Sequence, residues 1–262
     1  MIKQIIKATL CIVVVLTYML CALICSPYRM INEYKFKKLT PSLMSFFINI
    51  QNMILGLEVK FKNEHLIPKD ANFLFISNHL SYLDIFAIGE KLNLSYITSQ
   101  EMKERPGVGL LCQLGGCSFV ERRREKRQNQ DREKELQDIY ENLKNNVNIA
   151  LYPEATSTNG QEVISFKKPM FIPAYNLKKP ILVSAINYKS VDKKVVSSSN
   201  RDLICWYGKM DLLPHLLEFF KLKKTQAEIT FIELVDSNKF DTIEELIQYC
   251  RELVIKNYIP IK

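Results

Sequence analysis

Charge is missing near the start of this 262-residue chain: from Ala8 to Ser26 there is no charged residue. At about 1.5 Å per residue, such a run is just long enough to cross or deeply enter a hydrocarbon core roughly 30 Å thick. A Cys-x-x-Cys pair is missing too. The seven cysteines (Cys11, Cys21, Cys25, Cys112, Cys117, Cys205, Cys250) fit neither a zinc site nor a disulfide framework, and three lie in the uncharged run. They read as reduced, buried thiols of a protein that faces the cytoplasm. No internal repeat or low-complexity tract occurs. Aromatic residues do not interleave with the basic ones, and no nucleic-acid-binding motif is present, so the formal net charge of +8 calls for an anionic partner other than nucleic acid.

What is present at the N-terminus answers that call. Lys3 and Lys7 precede the uncharged run, and Arg29, Lys35, Lys37 and Lys38 follow it. The run exceeds the apolar core of an ordinary signal peptide, and large residues fill the positions where cleavage wants small ones, so it is expected to be retained. A second stripe, Leu43, Met44, Phe46, Phe47, Ile50, Met53, Ile54 and Leu57, recurs at helical spacing. Residues 1–57 therefore read as a membrane-associated helical hairpin or an anchor followed by an interfacial helix, and 58–262 as an α/β domain. Basic groups beside an apolar anchor are the signature of contact with anionic lipid on the cytoplasmic side.

Beyond residue 57, short apolar runs alternate with helical patterns. Strands are expected over 57–62 (alternating, hence half-exposed and near an edge), 72–77, 94–98, 118–120, 147–152, 181–188, 203–207 and 227–234. Helices are expected over 84–93, 102–114 (interrupted at Pro106-Gly107), 122–145, 166–177, 212–222 and 242–256, the last opened by a Thr242/Glu245 capping box. This alternation implies an α/β fold, a mixed, largely parallel sheet flanked by helices.

Directly behind the apolar run 72–77 stands Asn78-His79-Leu80-Ser81-Tyr82-Leu83-Asp84. Polar groups there emerge at the C-terminal end of a buried strand, where open α/β sheets place their sites. A histidine can take a proton near neutral pH, and a carboxylate can fix its tautomer and stabilise the imidazolium. If the substrate brings its own hydroxyl, His79 and Asp84 suffice for general-base attack. Ser81 reads as a helix N-cap rather than a nucleophile.

Three further blocks follow in order: Gly116-Cys117-Ser118-Phe119-Val120-Glu121-Arg122, Leu151-Tyr152-Pro153-Glu154-Ala155-Thr156-Ser157, and Lys179-Pro180-Ile181-Leu182-Val183. With the first, they resemble the glycerophospholipid acyltransferase family, in particular bacterial 1-acylglycerol-3-phosphate acyltransferases, over residues 70–190. Trp206-Tyr207-Gly208 and Leu213-Pro214-His215 look like features of some of its bacterial members. The resemblance implies that His79 is the general base and Asp84 its orienting partner. It implies that Asn78, Arg122, Glu154, Thr156, Lys167 and Lys168 bind substrate, with Arg122 on the acceptor's phosphate through its fork of donors. Arg123, Arg124, Lys126 and Arg127 extend the positive field. The implied partners are membrane lipids, a lysophospholipid acceptor and an acyl donor carried on coenzyme A or acyl carrier protein. No metal and no cofactor is required, and the implied location is a bacterial inner membrane with the catalytic domain facing the cytoplasm.

The chain departs from that pattern once. Where members of the family commonly continue Glu-Gly-Thr-Arg, it has Glu154-Ala155-Thr156-Ser157, without the glycine and the arginine. Lys167 and Lys168 could supply the lost charge, or the acceptor could be another lyso-lipid, such as a lyso-aminolipid, in place of lysophosphatidic acid. A non-catalytic, membrane-anchored binder of anionic lipid would explain the anchor and the charge but would leave His79 and Asp84 without a purpose.

Overall fold

The computed structural model describes residues 2–123 and 129–262. Its N-terminal part is three helices, α1 (Ile2–Cys25), α2 (Pro27–Ile31) and α3 (Glu33–Leu55). Asn32 opens α3 by accepting the Lys35 N–H at 2.9 Å. Gly56 closes it in a left-handed conformation, φ +69°, where a Cβ would stand 2.2 Å from the Lys223 carbonyl oxygen. α3 runs back along α1: the Tyr18 and Phe47 rings meet at 5.7 Å, and Lys7 Nζ donates to the Leu55 carbonyl at 2.8 Å. The same ammonium donates to Leu222 O at 2.7 Å, in the part of the chain that follows the hairpin. Cys11, Tyr18 and Ala22 are buried, while Ile5, Ile6, Leu16, Leu20, Leu23 and Ile24 form an exposed outer face. α1 is thus long and apolar enough to cross a membrane, yet it lies against the domain through Lys7.

Eight strands form one sheet: β1 (Leu57–Lys62), β2 (Leu74–Ile76), β3 (Ser95–Ser99), β4 (Ser118–Val120), β5 (Ile149–Leu151), β6 (Ile181–Val191), β7 (Lys194–Val195) and β8 (Thr225–Val235). The order is β1-β8-β6-β2-β5-β3-β4, with β7 a short hairpin partner of β6. Only the β6 pairings with β8 and β7 are antiparallel. β1 lies at one edge with its charged residues outward, as its alternation predicts. β2, β5 and the first eight residues of β6 are buried throughout, which is why these runs lack alternation.

Helices α4 (Leu83–Gly89), α5 (Gln100–Glu104), α6 (Val108–Leu114), α7 (Asn129–Lys144), α8 (Ile172–Asn176), α9 (Leu212–Phe219) and α10 (Ile243–Asn257) complete the chain. The Pro106-Gly107 interruption separates α5 from α6, and the Thr242/Glu245 capping box opens α10. The expected helix over 122–145 is described from Asn129 onward, and Arg124, Lys126 and Arg127, expected to extend the positive field, lie outside the described residues.

The parallel strands do not end level. Ile76 of β2, Leu151 of β5, Ile97 of β3 and Ser118 of β4 share one row, so β4 continues two residues, about 7 Å, past the end of β2. Two expectations fail. Residues 203–207 are not a strand, because their backbone groups bond elsewhere: Ile204 and Cys205 N–H donate to Arg201 O, and Trp206 N–H to Leu80 O at 2.9 Å. Ser81 does not cap α4. Its hydroxyl is buried without a partner, α4 starts at Leu83 with no side-chain cap, and the Ser81 N–H, like that of Leu80, donates back to Asp84 inside the helix.

Candidate active site

β2 ends in a wholly apolar environment, so the residues after it must find partners for every polar group they carry into the interior. Asn78 does so across the sheet. Its amide accepts the Ile186 N–H at 2.8 Å and donates to Ile186 O at 3.0 Å, bolting the loop to β6. It is almost fully buried, and its side-chain polar atoms are engaged with the protein rather than presented at the site.

The first turn of α4 then returns Asp84 toward the loop. Asp84 Oδ2 accepts from Leu80 N–H at 2.7 Å and Ser81 N–H at 3.0 Å, and stands 2.8 Å from His79 Nδ1. Its other oxygen accepts the Tyr188 hydroxyl at 2.8 Å. Because a carboxylate only accepts, Nδ1 carries the proton, and Nε2 of His79 is left with a free lone pair. The imidazole stacks on Tyr152, centroids 4.0 Å apart and planes 14° off parallel, which fixes its plane as Asp84 fixes its rotation. Burial, with Asp84 nearby, keeps the Tyr188 phenol well above its ordinary pKa, so it remains a donor.

Glu154 holds the loop from the other side. Its Oε1 accepts the His79 N–H at 2.8 Å and its Oε2 the Ile164 N–H at 3.0 Å. Only 1 % of the residue is exposed. Burial lifts this carboxyl to about 7 against the pull of those two N–H donors, with Asp84 adding to the rise and Arg251 opposing it. Arg251 donates to the carbonyls of Val163 and Ile164, so the segment that faces Glu154 is itself held.

Arg122 follows β4 and reaches the loop after Glu154. Its guanidinium donates to Ala155 O and lies 3.8 Å from Glu101, on an exposed surface. Ala155 has φ +59°, the conformation for which glycine is the ordinary choice. Ser157, where the resembled pattern has arginine, donates its hydroxyl to Trp206 O. The exposed Thr156 side chain has Oγ1 3.4 Å from Ser157 O. Lys167 donates its backbone N–H to Pro153 O at 2.8 Å and leaves its ammonium at the surface. Lys168 instead pairs with Glu244 at the start of α10. Arg123 is bound to Glu104 and Glu121, and its charge holds the Glu121 carboxyl down to about 2.

The fold therefore unites His79, Asp84 and Glu154, brings Arg122 over the Glu154 loop, and turns Lys168 toward α10. Sequence reasoning missed Tyr188, the stacking role of Tyr152 and the support under the loop from downstream. There, Tyr82 OH lies 2.9 Å from His215 Nδ1, and His215 Nε2 lies 3.1 Å from the Cys205 carbonyl. A carbonyl only accepts, so Nε2 is protonated and Tyr82 is the donor; burial lowers the pKa of His215 and keeps it neutral. Tyr188 closes an apolar strand and gives no sequence signal. The Trp206 and His215 segments did give one, as features shared with bacterial acyltransferases. Among the described residues no three His, Cys, Asp or Glu side chains converge to hold a metal ion.

The chain is similar to known acyltransferases. A lyso-ornithine lipid O-acyltransferase of Rhizobium meliloti is 25% identical over 201 residues, 74% of this chain and 67% of that protein. A 1-acyl-sn-glycerol-3-phosphate acyltransferase of Neisseria meningitidis is 25% identical over 188 residues, 71% of this chain and 70% of that protein. The crystal structure of the 1-acyl-sn-glycerophosphate (LPA) acyltransferase, PlsC, from Thermotoga maritima superposes with a TM-score of 0.70 at 22% identity, covering 98% of this chain and 94% of that one. Residues 58–189 match the family described as Acyltransferase. That span runs from β1 through β6 and contains His79, Asp84, Glu154 and Tyr188, and the chain belongs to the Acyltransferase family.

Proposed function

We propose that the protein transfers a fatty acyl group from a thioester, on coenzyme A or acyl carrier protein, to the free glycerol hydroxyl of lysophosphatidic acid, giving phosphatidic acid. The carrying observation is the 2.8 Å contact between His79 Nδ1 and Asp84 Oδ2, which leaves Nε2 as a base. Nε2 takes the hydroxyl proton as the oxygen attacks the thioester carbonyl carbon. The tetrahedral intermediate then expels the thiolate, to which the imidazolium returns the proton. The N–H groups of Leu80 and Ser81 bond to Asp84. They are therefore engaged by the carboxylate, whose ionised form they stabilise, and are not free to donate to the oxyanion.

Arg122 is the proposed contact for the acceptor's phosphate, with Thr156 and Lys167 as further proposed contacts. Asn78 and Glu154 act as positioning residues, through Ile186 and through His79 and Ile164 respectively. Residues 1–57 form the membrane-associated part and 58–262 the catalytic part, which faces the cytoplasm. A second acceptor class is favoured by a specific contact. Ser157 is tied to Trp206 O and the Glu101 carboxylate lies beside Arg122, an arrangement with one cation fewer than the resembled pattern and an anion that suits an amino headgroup. Lyso-ornithine-type acceptors belong to that class.

Membranes carrying the protein, incubated with labelled acyl thioester and a panel of lyso-lipids, test both statements. Diacylated product from lysophosphatidic acid supports the first reading. Product from a lyso-aminolipid alone supports the second, and lipid binding without product from any acceptor overturns both in favour of a non-catalytic module.

A further inference from the structure

The N-terminal hairpin is not the sole apolar face left open. On α9, His215 and Phe219 point inward and are buried, while Leu213 and Leu217, one turn apart, are 65% and 51% exposed. This helix is part of the support of the candidate active site. His215 holds Tyr82, and Trp206, whose N–H bonds Leu80 O, donates its indole N–H to Met210 O at 2.9 Å, just ahead of the helix. Whatever seats α9 therefore seats the loop that carries His79.

The other end of α9 leads to the hairpin. The chain turns through Leu222, whose carbonyl receives Lys7 of α1 at 2.7 Å, and that ammonium also binds the last turn of α3. The exposed leucines of α9 and the exposed apolar face of α1 thus belong to elements joined at one side chain. Lysines flank the helix: Lys209 before it, Lys221, Lys223 and Lys224 after it. Lys221 pairs with Glu218 and Lys224 with Glu58, whereas Lys209 and Lys223 have no ion-pair partner among the described residues. Leucines on one face with lysines at both ends are the pattern of a helix lying at the surface of an anionic bilayer.

We propose that α9 is a second membrane-contact element, placing Leu213 and Leu217 among the acyl chains of an anionic leaflet so that the active-site mouth it braces rests on the lipid surface. The inference rests on the reading of the hairpin as membrane-associated. Eight residues are too few to anchor a protein alone; joined to the hairpin through Lys7 and Leu222, they set its tilt.

The chain has one tryptophan, Trp206, so single-tryptophan depth probes need one replacement. Full-length Trp206→Phe proteins carrying Leu213→Trp, Leu217→Trp or, as a hairpin control, Met30→Trp are reconstituted in phosphatidylglycerol-containing vesicles with brominated acyl chains. Quenching at positions 213 and 217 comparable to that at 30 is expected. Quenching at 30 without quenching at 213 and 217 overturns the α9 contact and leaves the hairpin reading standing; quenching at none overturns both. Independently of the tryptophan background, Leu213→Ser/Leu217→Ser is expected to lose on the order of tenfold in turnover on vesicles while keeping turnover on acceptor dispersed in detergent micelles. Equal turnover of this variant and the parent on vesicles overturns the inference.

Discussion

The Tyr188 hydroxyl donates to Asp84 Oδ1 at 2.8 Å from a strand 104 residues further along the chain. With Leu80, Ser81 and His79 on the other oxygen, it completes the carboxylate's shell. Tyr188→Phe removes one hydrogen bond to a charged group and leaves the ring. Turnover is expected to fall roughly tenfold, with KM for the acceptor little changed, since such bonds contribute about 1.5–3 kcal/mol and the other three persist. Unchanged turnover would show that Asp84 needs no such support.

His79→Ala removes the proposed general base. Acyl transfer measured with labelled thioester is expected to fall by at least about 10²–10⁴, with vesicle binding retained because the hairpin is untouched. Near-normal turnover would sink the mechanism.

Asp84→Asn discriminates orientation from charge. Two backbone N–H groups point at Oδ2, so the asparagine must place its carbonyl oxygen there and can still accept from His79 Nδ1. The tautomer is kept and the charge is lost. We expect a fall in turnover on the order of 10², smaller than the roughly 10⁴ seen where such a change reverses the tautomer. Asp84→Ala removes the acceptor of all four donors, of which the Leu80 and Ser81 N–H groups and the Tyr188 hydroxyl are buried, at about 1–3 kcal/mol each, and should lower stability as well; urea midpoints of the two variants would separate these effects.

Glu154 supplies a pH signature. Its carboxyl stands at about 7 in the folded chain, against about 4.3 for an unperturbed glutamate. Between those values the folded state holds a proton that the unfolded state has released. The stabilising contribution is therefore complete below about 4.3 and is lost as pH rises through about 7. Glu154→Gln should flatten that part of the stability curve and cost about 1–3 kcal/mol, because one of the two N–H groups, of His79 or Ile164, then meets an amide NH₂. Chemical denaturation from about pH 5 to 8 reads both effects; an unaltered slope would remove Glu154 as its source.

Arg122→Ala tests the acceptor. For a phosphate-bearing lyso-lipid, KM is expected to rise roughly 10–100-fold with a smaller change in kcat, and Arg122→Lys should restore only part of it because the ammonium lacks the planar fork. An equal effect on a phosphate-free lyso-aminolipid would show that Arg122 acts through the Ala155 loop instead.

Much of this was legible in the sequence because its signals are local. The unalternating run before Asn78 is buried on both faces, the alternating run after Gly56 lies at an edge, and Thr242 with Glu245 caps α10. Residues 203–207 misled because an apolar run can be buried without joining a sheet. Trp206 spends its N–H on Leu80, a partner more than a hundred residues away that no window of sequence contains. Ser81 misled for a related reason: its own N–H turns toward Asp84, three residues on, and its hydroxyl is buried without reaching the first turn of α4. Tyr188 and the two bonds from Asn78 to Ile186 depend on β2 and β6 being neighbours, which is topology rather than pattern.

The stepped sheet has a metric consequence. β4 lies three strands from β2, about 14 Å at ordinary strand spacing, and its two-residue overhang lifts Arg122 to the height of the loop that carries His79. The Arg122 side chain spans part of that gap by reaching to Ala155. If Arg122 takes the acceptor's phosphate and His79 its hydroxyl proton, as proposed, the strand spacing sets the backbone interval between cation and base, and an acceptor must match it in the distance between its anionic group and its hydroxyl.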